Sequence, residues 1–195
     1  MDQTVLVEPF SRLAPRYFPC LPSQAHLQRS LTPFQAALFP CGVSLAATWD
    51  TKLIHEVGQH IGEEVKARSA HILLAPTVCL HRGPLGGRNF ESFSEDPFLT
   101  GKLASAYITG VQEKGVAATI KHFAVNEQET ERVRMDSILS ERALRELYLK
   151  PFEIAIRESN PWAVMSSYNL INGVHADMNE HTLKDILRGE WNYDG

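Results

Sequence analysis

Polar residues that could do chemistry gather in three places along this chain. The first is Leu80-His81-Arg82-Gly83-Pro84-Leu85-Gly86-Gly87-Arg88-Asn89-Phe90-Glu91, after an apolar run at 71–76. The second is Lys121-His122-Phe123-Ala124-Val125-Asn126-Glu127-Gln128-Glu129, after the apolar run 116–120. The third is Ser166-Ser167-Tyr168-Asn169, closing the run 163–168. Arg, Lys, His, Ser, Tyr and Asn supply hydrogen-bond donors, and donors at fixed places suit a ligand rich in hydroxyl or anionic oxygens. Lys121 is the most telling, because lysine is costly where a buried strand ends. Each of the others has a plain structural reading as well. Arg88 can pair with Glu91 or Asp96 to stiffen its loop, His122 can be a satisfied structural histidine, and Tyr168 can simply pack.

Several patterns fail on geometry. His55-Glu56-Val57-Gly58-Gln59-His60 has one residue too many for a zinc helix, since residues five apart lie ~140° apart around a helix. Gly83, Gly86 and Gly87 form no phosphate-binding glycine pattern, and Ser166 and Ser167 lack a nucleophile elbow. Cys20, Cys41 and Cys79 contain no Cys-x-x-Cys pair and read as free, partly buried thiols. No metal or cofactor is expected. Glu91, Glu95, Asp96, Glu127, Glu129, Glu131 and Asp177 offer many carboxylates, but spacing alone selects no catalytic pair.

Helices and strands must hold these residues in place, and the periodicity predicts that the two alternate. Asp50 caps a helix carrying Ile54, Val57, Ile61 and Val65. Asp96 and Pro97 open a second, with Leu99, Leu103, Ala106 and Tyr107, ending near Gly115. Ser140 caps a third, with a stripe of Leu144, Leu147, Tyr148, Phe152 and Ala155 that Pro151 interrupts. Asn179 opens a fourth through Leu183, Ile186 and Leu187. The strands between them, at 71–76, 116–120 and 163–168, are continuously apolar, as in a parallel sheet covered by helices. In such folds ligands meet the C-terminal strand ends, where the three polar groups lie. A barrel and a doubly wound sheet fit equally at this level. In the second case the site would hold an anion at Lys121 and His122. Residues 1–47 carry two acids, no lysine and six prolines, and read as mostly irregular.

Composition excludes other classes. The chain has 195 residues and a net charge of −4, from 19 basic and 23 acidic residues. It lacks the basic balance of a nucleic-acid binder and any apolar run near the ~20 residues of a membrane span. The N-terminus shows no basic n-region or apolar h-region, so no secretory signal is expected and the cytoplasm is the default compartment.

The longer motifs resemble glycoside hydrolase family 3, most of all its fungal β-glucosidases. The resemblance rests on Gly87-Arg88-Asn89-Phe90-Glu91-Ser92-Phe93-Ser94-Glu95-Asp96-Pro97. It extends to Lys121-His122-Phe123 with Asn126-Glu127-Gln128-Glu129, and to Met165-Ser166-Ser167-Tyr168-Asn169 with Asn172-Gly173. It runs from about Phe39 to Gly195. It implies a partial (β/α)8 TIM-type barrel over 39–195, parallel strands with covering helices, and an N-terminal segment 1–38 unlike the family. A complete barrel needs roughly 250 residues. The resemblance also implies removal of terminal non-reducing β-D-glucosyl residues with retention, from a β-glucoside or oligosaccharide. Arg88, Lys121 and His122 would hold sugar hydroxyls, and Met165 and Tyr168 would line the same pocket. The family's nucleophile, an aspartate in a Ser-Asp-Trp motif, is expected beyond Gly195, and its acid/base in a later domain. The family's Asp-Gly-Pro contact has no counterpart in 1–38. The chain alone is therefore expected to be inactive, with no catalytic residue of its own. A non-catalytic sugar-binding or partner-binding module is the alternative.

Overall fold

An aspartate carboxylate starts the first long helix. In the computed structural model, which describes residues 36–195, Lys52 N and Leu53 N donate to the Asp50 carboxylate at 2.9 and 3.1 Å. A short helix α1 (Gly42–Ala46) precedes it, inside the stretch expected to be irregular. Helix α2 (Thr51–Ala67) buries Ile54, Gly58, Ile61, Gly62 and Val65 on one face. Helix α3 (Pro97–Glu113) begins as expected, with Phe98 N donating to Asp96 at 2.8 Å and Pro97 in its first turn. The two helices meet through glycines. A Cβ on Gly110 would lie 2.2 Å from the His55 carbonyl oxygen, and one on Gly58 would lie 2.5 Å from that of Tyr107. Only hydrogen side chains permit so close a crossing.

These helices cover a parallel sheet of β1 (Ile72–Leu73), β2 (Ala117–Phe123) and β4 (Ala163–Ser166), in the order β1-β2-β4. All three expected strands are present, with shifted ends. β1 stops early because its register against β2 slips after Leu73: Ala117 N donates to His71 O at 2.9 Å, but Thr119 N reaches Ala75 O at 3.1 Å. Backbone bonding then resumes, with Lys121 N donating to Pro76 O at 3.1 Å and Val78 N to Lys121 O at 2.8 Å. β2 runs longer than expected, so Lys121 and His122 lie within the strand and not just after it. Every residue of β2 is buried. Phe123 packs edge-on against Phe152 at 5.1 Å and Trp191 at 6.1 Å, centring the core on this strand.

Ser140 caps α4 (Glu141–Ala143) by accepting from Ala143 N at 3.2 Å. A π-type stretch, Leu144–Tyr148, follows and closes through Leu149 N to Leu144 O at 2.8 Å. It leads into α5 (Lys150–Ser159). Pro151 has no N–H for the carbonyl four residues back, and the wider turn takes up the mismatch. Leu147, expected in the apolar stripe, is exposed as a result of the slipped register. Asn179 opens the final helix, α6 (His181–Glu190, also π-type), accepting from Thr182 N at 3.1 Å.

A second, small sheet was not foreseen. It joins β3 (Asp136–Ser137) in parallel to β5 (Leu170–Ile171), which pairs antiparallel with β6 (Val174–His175). Asn172 and Gly173 make its hairpin turn with φ of 50° and 87°, the positive values that two-residue turns require.

Residues 1–35, which include Cys20 and most of the 1–38 segment, lie outside the described residues. Cys41 is half-buried and Cys79 buried, neither in a disulfide. His55 and His60 face different partners, Glu113 at 3.0 Å and Glu63 at 3.6 Å. Among the described residues no group of His, Cys, Asp and Glu is arranged to hold a metal ion, and no helix is long and apolar enough to cross a membrane.

Candidate functional site

One carboxylate organises the cluster. Glu91 sits at the end of a 3-10 turn, Asn89–Glu91, which brings it back beside Arg88. Arg88 Nε donates to Glu91 Oε1, Thr77 Oγ1 donates to Oε2 at 2.8 Å, and Lys121 Nζ lies 3.5 Å from the same oxygen. Burial pushes the Glu91 carboxyl up. Lys121 and Arg88, with Thr77, outweigh that and hold it below the usual carboxylate range. Burial lowers Lys121, with Glu91 opposing.

His122 carries no charge at neutral pH. Burial, and then Arg88 and Lys121 beside it, push its pKa down to about 3. Arg88 Nη1 donates to its Nε2 at 3.3 Å, which leaves the hydrogen on Nδ1. That Nδ1 is buried and has no hydrogen-bond partner among the described residues. A buried donor without an acceptor is uncommon and marks a place where a ligand oxygen would be welcome.

The structure thus brings Arg88, Lys121 and His122 together around Glu91. Met165 stands opposite Lys121 in the β2–β4 register. Tyr168 belongs to a separate chain of contacts through Arg132, Glu129 and Asn126. Its exposed ring lies under the Arg132 guanidinium at 5.0 Å. Arg132 bonds Glu129 at 2.6 Å, and Glu129 accepts from Asn126 Nδ2 at 3.2 Å. A cavity of about 230 Å³ opens beside the cluster, lined by Thr77, Arg88, Glu91, Lys121, Phe93 and Tyr107 among others.

Sequence reasoning named Glu91 as one carboxylate among many and as one of two partners open to Arg88, and missed Thr77 and Arg132. The i, i+3 spacing of Arg88 and Glu91 was the available signal for the first. Thr77 and Arg132 carry none, since they enter through backbone pairing and an irregular turn.

Strand-end donors gather around one carboxylate on the parallel sheet of an incomplete (β/α)8 barrel, the fold class of the glycoside hydrolases it resembles. Residues 24–195 match the glycosyl hydrolase family 3 N terminal domain, and the chain belongs to that family. It is 62% identical over 160 residues to β-glucosidase B of Emericella nidulans, covering 82% of this chain and 19% of that protein. It is 51% identical over 174 residues to probable β-glucosidase J of Neosartorya fischeri, covering 89% and 20%. Among solved structures it resembles β-glucosidase 3B of Thermotoga neapolitana in complex with glucose. That match has a TM-score of 0.80 and 53% identity, covering 81% of this chain and 22% of that one. The β-glucosidase of Kluyveromyces marxianus in complex with glucose gives 0.80 and 48%, covering 81% and 19%. The chain spans about a fifth of the length of these relatives.

Proposed function

We propose that this chain carries the sugar-holding part of a retaining β-glucosidase site, for the terminal β-D-glucosyl unit of a β-glucoside or oligosaccharide. Arg88, Lys121 and His122 donate to sugar hydroxyls, and Met165 and Tyr168, which lie outside the lining of the cavity of about 230 Å³, complete the site from β4 and the turn after it. The observation that carries the reading is the Arg88–Glu91–Lys121–His122 cluster, whose buried His122 Nδ1 has no partner among the described residues. The names of the relatives give the substrate class.

The carboxylates near the cluster serve other ends. Glu91 is held by three donors, and Glu129 by Asn126 and Arg132. Retention needs a carboxylate nucleophile and an acid/base across the sugar ring, and neither Glu91 nor Glu129 stands unengaged for that work. On this reading the chain alone binds the sugar without turning it over. The same observation favours the second reading, a sugar-binding module without catalysis, and both predict the same first result. Calorimetry with glucose should show binding that Lys121→Ala weakens by roughly tenfold or more, the size of a lost charge-assisted hydrogen bond. Aryl-β-glucoside hydrolysis by the 195-residue chain should be absent. Robust turnover that depends on this chain would overturn the claim of inactivity, and a folded sample that binds no sugar would overturn both readings.

A further inference from the structure

Three consecutive residues fasten the loop that carries Arg88 to the end of β2 and the loop that follows it. Val78 N donates to Lys121 O at 2.8 Å, Cys79 Sγ approaches His122 O at 3.9 Å, and Leu80 N donates to Glu127 Oε1 at 3.3 Å. Beyond Leu80 the loop is closed on itself. His81 N donates to Ser94 O at 3.2 Å, the His81 ring bonds Asn89 O at 2.8 Å, and Asn89 Nδ2 donates to Gly83 O at 2.7 Å. The loop therefore moves as a unit, and where it is fastened decides where Arg88 sits. Two of the three fastenings end on backbone carbonyls. Only the third ends on a group that changes charge.

We infer that Glu127 is a positioning residue for the sugar site: its carboxylate fastens the Arg88 loop to the loop that follows β2, and protonation weakens that fastening. The inference rests on the sugar-binding reading for its functional consequence but not for its structural one. A hydrogen bond to a carboxylate is roughly twice as strong as one to a neutral acceptor. Burial holds the Glu127 carboxyl up to about 7, against the Leu80 amide and Arg82, which draw it down. The change of charge therefore falls near neutral pH. The groups around it do not share that window. Cys79 and Tyr148 are held protonated by burial, and His122 stays neutral. Arg82 stacks over the Tyr148 ring at 5.6 Å, while Arg88 and Glu129 are committed to Glu91 and Arg132. His81 belongs to the same loop and is separated from Glu127 by the variant below.

The test is an NMR titration of the 195-residue chain from about pH 5 to 9, reading the Glu127 side-chain carboxyl carbon and the Leu80 amide. Both should move together with one midpoint near neutral, and Glu127→Gln should flatten the Leu80 transition while the loop stays folded. Calorimetry should find glucose bound about fivefold tighter at pH 8.5 than at pH 5.5. Saturating glucose should then lower the Glu127 midpoint by the logarithm of that ratio, because the linkage is reciprocal. A Leu80 amide that does not titrate, or that titrates unchanged in Glu127→Gln and so follows His81, overturns the inference. If the amide follows Glu127 but no glucose binds at any pH, the fastening stands and the sugar reading fails. Glucose affinity that is flat with pH, beside an amide that titrates, overturns the positioning role itself.

Discussion

Glu91 and Glu127 are two carboxylates with opposite electrostatics, and pH separates them. Glu91 lies below the ordinary range in the folded chain, despite its burial, because Lys121 and Arg88 face it. The folded state therefore binds its proton less readily than the unfolded state. Its contribution to stability is fully present above the unfolded value near 4.5 and is lost as pH falls through the lower, folded value. Glu91→Gln leaves the buried Lys121 and the half-buried Arg88 without their counter-charge, and should cost about 2 kcal/mol at pH 7. The gap should narrow as acid protonates the wild-type residue. Glu127 is the reverse case. Its folded value of about 7 lies above 4.5, so the folded state binds the proton more tightly and stability declines as pH rises between the two. Glu127→Gln should leave stability unchanged at pH 4 and raise it by about 1–3 kcal/mol at pH 8. Urea unfolding of both variants at pH 4, 7 and 8 checks the two signs together. Parallel pH profiles for the two variants would show that the charges around one of them act otherwise.

The helices are held by local devices that sequence makes visible and by contacts that it does not. Asp50, Asp96, Ser140 and Asn179 were legible as caps, because a cap is decided within three or four residues of chain. The three parallel strands were legible because a continuous apolar run between helices is best buried in a sheet covered on both faces. The small sheet was not. Its strands are two residues each, too short to show a period, and only the Asn172-Gly173 pair announced the hairpin. The true end of β2 was hidden by chemistry. Lys121 and His122 look like loop residues until Glu91, thirty positions upstream in the chain, is seen to neutralise the lysine. The α2–α3 crossing was hidden as well, since Gly58 and Gly110 read as weak points in isolated helices. They are the contact itself. Gly110→Ala places a methyl against the His55 carbonyl oxygen, which is backbone and cannot swing away. The helices must separate, and thermal unfolding should show a loss of about 2–3 kcal/mol, although alanine favours a helix by ~1 kcal/mol over glycine. A neutral or stabilising Gly110→Ala would mean that the two helices part without cost. Asp50→Ala, by contrast, should cost only about 1 kcal/mol, the usual worth of a cap.

At the scale of the whole molecule, the sheet determines behaviour in solution. Among the described residues, β1 and β4 each pair with β2 alone, so each leaves one side of its backbone without a strand neighbour. β4 is only half-buried along its length, unlike the fully covered β2 between them. Leu85, Ile138 and Met178 are exposed elsewhere on the surface, and Trp49 and Trp162 add large apolar faces. A parallel sheet is normally covered on both faces and closed or guarded at its edges, and open edges invite pairing between chains. The net charge of −4 is a modest barrier to such contact, and salt screens it. The 195-residue chain is therefore expected to self-associate as its concentration rises, more strongly in salt. Sedimentation velocity across a hundredfold concentration range reads this directly, and a hydrophobic dye should bind in proportion to the associated fraction. Substitutions separate two causes. Lys in place of Val164, on the half-buried edge strand, should suppress association if the strand edge drives it. Replacing Trp49 and Trp162 with polar residues should do so if apolar faces drive it. A chain that stays monomeric at every concentration and binds no dye would mean that both edges are already covered.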